Sequence, residues 1–116
     1  MTVVRSGDRP ALVRGPELPT LQRLVDRANG SQAVTVLGNR STRGEAVPEH
    51  THEVEEVLVV TEGECAVTVD GQQHTLWAGD AAIVGPGAVH SIAHRSDQVC
   101  TVVAVLGSAD ATIWSE

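Results

Sequence analysis

The chain has 116 residues and a formal net charge of −7, with no Phe, no Tyr and two Trp. That length holds one core and not two, and the acidic balance argues against nucleic-acid and anionic membrane partners. Every one of its basic residues is Arg, so no Schiff-base lysine, phosphate-loop lysine or tyrosine acid can take part in its chemistry.

The N-terminal stretch MTVVRSGDRP has no apolar signal core, and no apolar run in the chain approaches membrane-spanning length. A soluble, cytoplasmic protein is the expectation. Residues 2–4 and 11–13 read as short edge strands separated by Gly7-Asp8-Arg9-Pro10. A short helix is predicted next. Leu21, Leu24, Val25 and Ala28 fall at helical spacing, Thr20 can cap its start, and Asn29-Gly30 can end it.

The pattern then changes. QAVTVLGN, EVLVVTEG, CAVTVDG, HTLWAGD, AAIVGPG, HSIAH and VCTVVAVLG are short apolar or alternating runs cut by Gly, Asp and Pro. Such spacing belongs to an all-β sandwich or barrel. Val69-Asp70-Gly71-Gln72 reads as a tight hairpin with a type I′ turn. Residues 1–32 are expected to pack as N-terminal strands and helix of the same domain as a barrel over 33–116. The two cysteines, Cys65 and Cys100, lie far apart in sequence and do not form a CxxC; Cys65 shares a strand face with Val67 and Val69 and reads as a small buried thiol.

The chemistry concentrates in GEAVPEHTHEVEEVLVVTEG, residues 44–63. Residues two apart on a strand point to the same side, so His50 and His52 can aim both imidazoles at one point. Glu56 has the same parity but lies four residues on, about 13 Å along a straight strand at about 3.3 Å per residue. For Glu56 to share an ion with them, one strand must end near the histidines and the next begin near Glu55. A helix starting at Pro48 is the competing reading, opposed by the β-branched run after it and by the Glu62-Gly63 turn. Downstream, GDAAIVGPGAVHSIAH makes a turn-rich approach to a strand with His90, Ile92 and His94 on one face, and His90 becomes a candidate third imidazole.

These residues resemble the two motifs of the cupins, small β-barrel proteins. The first motif, Gly-x5-His-x-His-x3-Glu-x6-Gly, is matched without a gap by Gly44, His50, His52, Glu56 and Gly63. In the second, Gly79, Gly87 and His90 fall in place, while Gly85 stands where Pro is usual and His94 where Asn is usual. The resemblance spans roughly residues 33–106. It implies an all-β, cupin-type antiparallel barrel (a double-stranded β-helix or jelly roll). It also implies a site of His50, His52, Glu56 and His90 for one divalent ion of Fe, Mn, Ni, Co, Cu or Zn, among which these ligand types do not choose.

The function this resemblance implies is a metal-dependent enzyme on a small organic molecule, of dioxygenase, isomerase, lyase or cyclase type. A non-catalytic metal- or metabolite-binding module is the alternative, and a sensor domain a third, though no helix-turn-helix segment accompanies the barrel here. His94 is the candidate acid or base, or else a structural hydrogen-bonding replacement for Asn. Arg40 and Arg43 could pair with a substrate carboxylate or be solvated loop charges, and His74 reads as surface. Cupins commonly pair through edge strands, so a homodimer with Trp114 near its interface is expected.

Overall fold

A computed structural model describes residues 1–13 and 15–113; Trp114 lies outside the described residues, as does the expectation attached to it. Among the described residues, ten strands form two antiparallel sheets: β1 (Leu12–Val13), β2 (Thr20–Val25), β3 (Thr35–Ser41), β4 (Ala46–His50), β5 (Glu56–Glu62), β6 (Glu64–Val69), β7 (Gln72–Trp77), β8 (Ala81–Val84), β9 (His90–Ala93) and β10 (Cys100–Leu106). The larger sheet runs β1-β2-β3-β10-β5-β8 and the smaller β4-β9-β6-β7. The architecture is the all-β jelly roll expected.

The alternation of small β-branched and aliphatic residues makes this possible without aromatics. In β10, Cys100, Val102, Ala104 and Leu106 are buried while Thr101, Val103 and Val105 are half-buried. Strands β3 and β5 follow the same two-residue period. The inward set from the larger sheet, Leu21, Leu37, Leu58, Val60 and Leu106, meets Val47, Val67 and Ile92 from the smaller in one core.

Two sequence expectations fail in the N-terminal segment. Residues 2–4 form no strand. The predicted helix is β2, paired antiparallel with β3 from Thr20↔Arg40 to Val25↔Val36, followed by a 3-10 turn at Arg27–Asn29. Of the supposed helical face, Leu21 is buried, Leu24 and Val25 are half-buried and Ala28 is exposed. A free β3 edge offers a full ladder of hydrogen bonds, and that tertiary pairing overrides a weak local helical pattern. The stop signal survives: Asp26 caps the 3-10 turn through Ala28 N–H, and Gly30 ends it. Among the described residues, helical structure is confined to this turn and a second at Ser6–Asp8.

The hairpin reading holds. Val69 pairs with Gln72, and Asp70 and Gly71 both have positive φ, 48° and 83°, as a type I′ turn requires. Asp70 has a second task. Its main-chain N–H donates to Val89 O at 2.8 Å and its Oδ1 accepts from Val89 N–H at 3.1 Å, pinning the loop that delivers His90.

Gly63, the last position of the first motif, turns β5 into β6 against the start of β10. A Cβ there would lie 2.3 Å from Val99 O and 3.2 Å from Cys100 Cα, at a φ of 72°. Gly63→Ala is therefore expected to destabilise the protein by about 1–3 kcal/mol, the range for a strained left-handed residue. The check is urea unfolding, where the midpoint should fall with an unchanged slope; an unchanged midpoint would mean the turn yields freely.

Candidate metal centre

Three strand ends converge at one mouth of the barrel. Strand β4 ends at His50, β5 begins at Glu56, and β9 begins at His90, with His52 in the irregular segment between β4 and β5. The bend anticipated between His52 and Glu56 is this segment. Strict alternation along β4 would turn His50 outward, since Val47 is buried in the core. A register irregularity between Val47 and His50 resets the parity, and His50 pairs with His90 across the sheet. Pro48, which has no N–H to lose, sits within that irregularity. The turn 85–88 is locked against the same segment, with Gly87 N–H donating to His52 O at 2.8 Å.

His50, His52, Glu56 and His90 come together so closely that their ligand atoms all lie within 4.8 Å of one another. Ring centroids are 4.8 Å apart for His50–His52, 4.1 Å for His50–His90 and 5.3 Å for His52–His90. Glu56 reaches both sides, with Oε1 2.9 Å from His90 Nε2 and Oε2 3.4 Å from His52 Nε2. Neighbouring ligands on an ion with bonds of about 2.1 Å stand about 3 Å apart, so these contacts suit a shared cation.

Two of the imidazoles are tethered from behind. His50 Nδ1 lies 2.7 Å from Pro48 O and His90 Nδ1 lies 3.0 Å from Ala88 O. The buried Nε2 of His52 has no hydrogen-bond partner. A nitrogen facing a carbonyl must carry the hydrogen, which leaves Nε2 as a bare lone pair. His90 in its neutral form thus aims a lone pair at a carboxylate, and the partnerless Nε2 of His52 lies beside the same group. Such a cluster is repulsive until a proton or a cation enters it. The donor set fits a divalent transition ion, and back-tethered imidazoles are how proteins orient such ligands.

Protonation follows burial and the carboxylate. Burial pushes His50 and His52 below the ordinary histidine range, outweighing the pull of Glu56. Burial also opposes charge on His90, but its hydrogen bond to Glu56, the Ala88 carbonyl and the charge of Glu56 together raise it.

His94 is not part of this group. It follows the end of β9, buried, with no hydrogen-bond partner for either ring nitrogen. Inward parity is as expected, but four residues of strand place it about 13 Å of rise beyond His90. The strand carries His94 away from the four, to where its main-chain N–H donates to Glu45 O at 3.1 Å. There the β6–β9 register, Ala66↔Ala93, continues to Cys65, a buried thiol hydrogen-bonded with Cys100 and pushed well above the ordinary thiol range by that contact and by burial. Arg40 is exposed, and Arg43 pairs with exposed Asp97, so neither joins the four. His74 is exposed on β7, as expected.

Sequence reasoning missed two features. Asn39 faces inward, lines the space under the histidines with Leu37, Val47 and Ala104, and leaves a buried Oδ1 without a partner. Its inward parity with Leu37 was the available signal. Ser108 and residues 110–112 wall a cleft of about 520 Å³ that opens on His52, with Thr51, Glu53 and Gly87 on its other sides; no sequence pattern announces that wall.

The two-sheet barrel with a clustered three-His, one-Glu mouth defines a cupin fold, and the comparisons agree. The Cupin domain family matches residues 42–106, more than half of the chain, and this chain belongs to it. Among curated proteins, the HTH-type transcriptional regulator PuuR of Escherichia coli is 28% identical over 82 residues, 70% of this chain and 44% of the regulator. The chain thus spans under half the length of that relative. The polyketide cyclase RemF from Streptomyces resistomycificus superposes with a TM-score of 0.78 at 24% identity, covering 92% of this chain and 79% of RemF. A predicted oxalate decarboxylase from Thermotoga maritima gives 0.79 at 23%, covering 92% and 99%. No helix among the described residues is long and apolar enough to cross a membrane.

A proton shared by His90 and Glu56 would compete with any cation. Because His90 is raised above the ordinary value of 6.5, metal affinity should fall as pH drops through that raised value and level off above it. Calorimetric titration with a divalent ion at pH 6 and pH 8, in buffers of different ionisation enthalpy, should show more protons released at pH 6. Equal release at both would place no titrating histidine in the site.

Proposed function

We propose that this chain is a metal-dependent enzyme that acts on a small organic metabolite through His50, His52, Glu56 and His90, by dioxygenase, isomerase, lyase or cyclase chemistry. The observation that carries the reading is the convergence of carbonyl-tethered imidazoles, with unpartnered Nε2 atoms, on one buried carboxylate. A bound divalent ion would supply Lewis acidity and open coordination positions for substrate oxygen, water or dioxygen.

The protein's own groups do the rest. His90 Nε2 and Glu56 Oε1, 2.9 Å apart, are close enough to share a proton when no cation is present. Leu37, Val47, Leu58, Ile92 and Ala104 keep the space under the histidines apolar. Asn39 offers an amide there, and its unpartnered Oδ1 is suited to accept from a substrate hydroxyl or a bridging water. The cleft beside His52 carries the hydroxyl residues Thr51, Ser108 and Thr112 and the acids Glu53 and Asp110. With Arg40 and Arg43 elsewhere, this mouth favours neutral or cationic hydroxylated molecules over carboxylate anions.

The second reading is a non-catalytic module that binds a metabolite or metal, favoured by the 28% match to a transcriptional regulator. Protein purified without added metal should retain about one divalent ion, and His52→Ala should lose it. The metal-loaded wild type, offered neutral hydroxy-carbonyl compounds, should turn over at least one that the His52 variant does not. Tight binding of such a compound with no turnover would favour the module.

We also propose a homodimer built on the outer face of the larger sheet, where Val57, Val59, Val103 and Val105 are half-buried and Ile83 is 71% exposed. Light scattering at micromolar concentration should give twice the 12.2 kDa chain mass, and Ile83→Glu should halve it. A monomeric wild type overturns this assembly.

A further inference from the structure

Arg40 is a candidate carboxylate partner that the metal mouth leaves unused. It stands exposed on the outer face of β3, in register between Thr20 of β2 and Thr101 of β10. Two residues along the same face the register reads Gln22, Gly38 and Val103, and the next β3–β10 pair is Val36 and Val105. Residues of one parity share a face, so a row of two hydroxyls and a guanidinium borders a row whose middle member has no side chain.

Gly38 leaves a hollow there. A groove of about 280 Å³ is lined by Thr20, Gln22, Gly38, Arg40, Thr101 and Val103, with Ser6 and Ala11 of the N-terminal segment closing one side. Gln22 fastens that segment, its Nε2 donating to Arg9 O at 2.6 Å and to Ser6 O at 2.9 Å. A Cβ on Gly38 would meet nothing within 4 Å, so the hollow is open space.

Charge decides what fits. Among the described residues, Arg9, Arg23, Arg27 and Arg43 form ion pairs with aspartates, whereas Arg40 forms none and is the one charged residue lining the groove. A planar guanidinium matches a carboxylate through two parallel hydrogen bonds. A dianion such as phosphate would call for more than one cation in a chain of net charge −7. The rest of the lining is mostly apolar.

We propose that this groove binds a monocarboxylate with a short apolar tail, its carboxylate on Arg40 and its tail over Gly38 against Val103. The site is separate from the metal mouth and needs no metal ion, since β3 turns Leu37 and Asn39 inward and Gly38 and Arg40 outward. It takes the β2–β3 half of the larger sheet. The dimer patch around Ile83 takes the β5–β8 half, with β10 between them.

Hexanoate is the probe, with 1-hexanol as the same tail without charge and acetate as the head without a tail. Amide ¹H–¹⁵N spectra of the full chain should show saturable shifts at Gly38, Arg40 and Thr101 with millimolar hexanoate, and none with acetate. Arg40→Gln should weaken hexanoate by about 10-fold or more, the lower end for losing a hydrogen bond to a charged group. The weaker binding of 1-hexanol should not change. Gly38→Val fills the hollow at a position where a strand residue fits, so it should abolish both without lowering the unfolding temperature.

Equal hexanoate affinity in the wild type and both variants overturns the proposal. So do shifts confined to His52 and its neighbours, which would send the carboxylate to the metal mouth. Light scattering of the same samples tests the other occupant. If Arg40→Gln or Gly38→Val turns a wild-type dimer into monomers, the groove is an interface between copies and the ligand site is overturned. Should Gly38→Val fail to fold, Arg40→Gln with the two comparison compounds still decides.

Discussion

The structure depends on one electrostatic problem: lone pairs and a carboxylate crowded together where water is scarce. Glu56 is 4% exposed and His90 1%. A buried carboxylate facing bare imidazole nitrogens is unfavourable both by desolvation and by repulsion between acceptors. A shared proton relieves part of this and a divalent cation relieves all of it. The hydrogen-bonding pattern removes the other escape, because nitrogens committed to main-chain carbonyls cannot turn their hydrogens toward Glu56.

Holding that arrangement calls for stiffness from several directions. The irregularity in β4 turns His50 inward, the Asp70-Gly71 hairpin pins the loop before His90, and the 85–88 turn bonds to the main chain of His52. Each device is local and short in sequence, a proline, a type I′ turn or a Gly-Pro-Gly, but each acts on a different ligand. The barrel then serves as the common frame, since β4, β5 and β9 all present their ligand ends at the same mouth.

The chemistry left to the chain is narrow. With no lysine or tyrosine anywhere and with His94 at the opposite end of β9, the titratable side chains of the cluster are His50, His52, Glu56 and His90 alone among the described residues. The inner wall is aliphatic save for Asn39, an orphaned amide of the sort that functional sites retain at a cost in stability. Substrate specificity on this frame would come from the mouth, where hydroxyls and acids outnumber bases.

The two-residue alternation of β3, β5 and β10 was legible from the sequence, because one buried face forces that period on any strand. So was the type I′ hairpin, which only residues tolerant of positive φ can make. The four clustered residues were legible through their spacing, His-x-His and Glu four positions on, read with the turn signals around them. The N-terminal helix was misread because Leu21, Leu24 and Val25 suit either period, and the vacant edge of β3 decided between them. Parity alone said that His94 points inward; only the direction of β9 could show which end it reaches. The wall that Ser108 and residues 110–112 raise beside His52 was beyond sequence reasoning, because bonds from β2 and its 3-10 turn to main-chain carbonyls hold it there, and a carbonyl is the same in every residue.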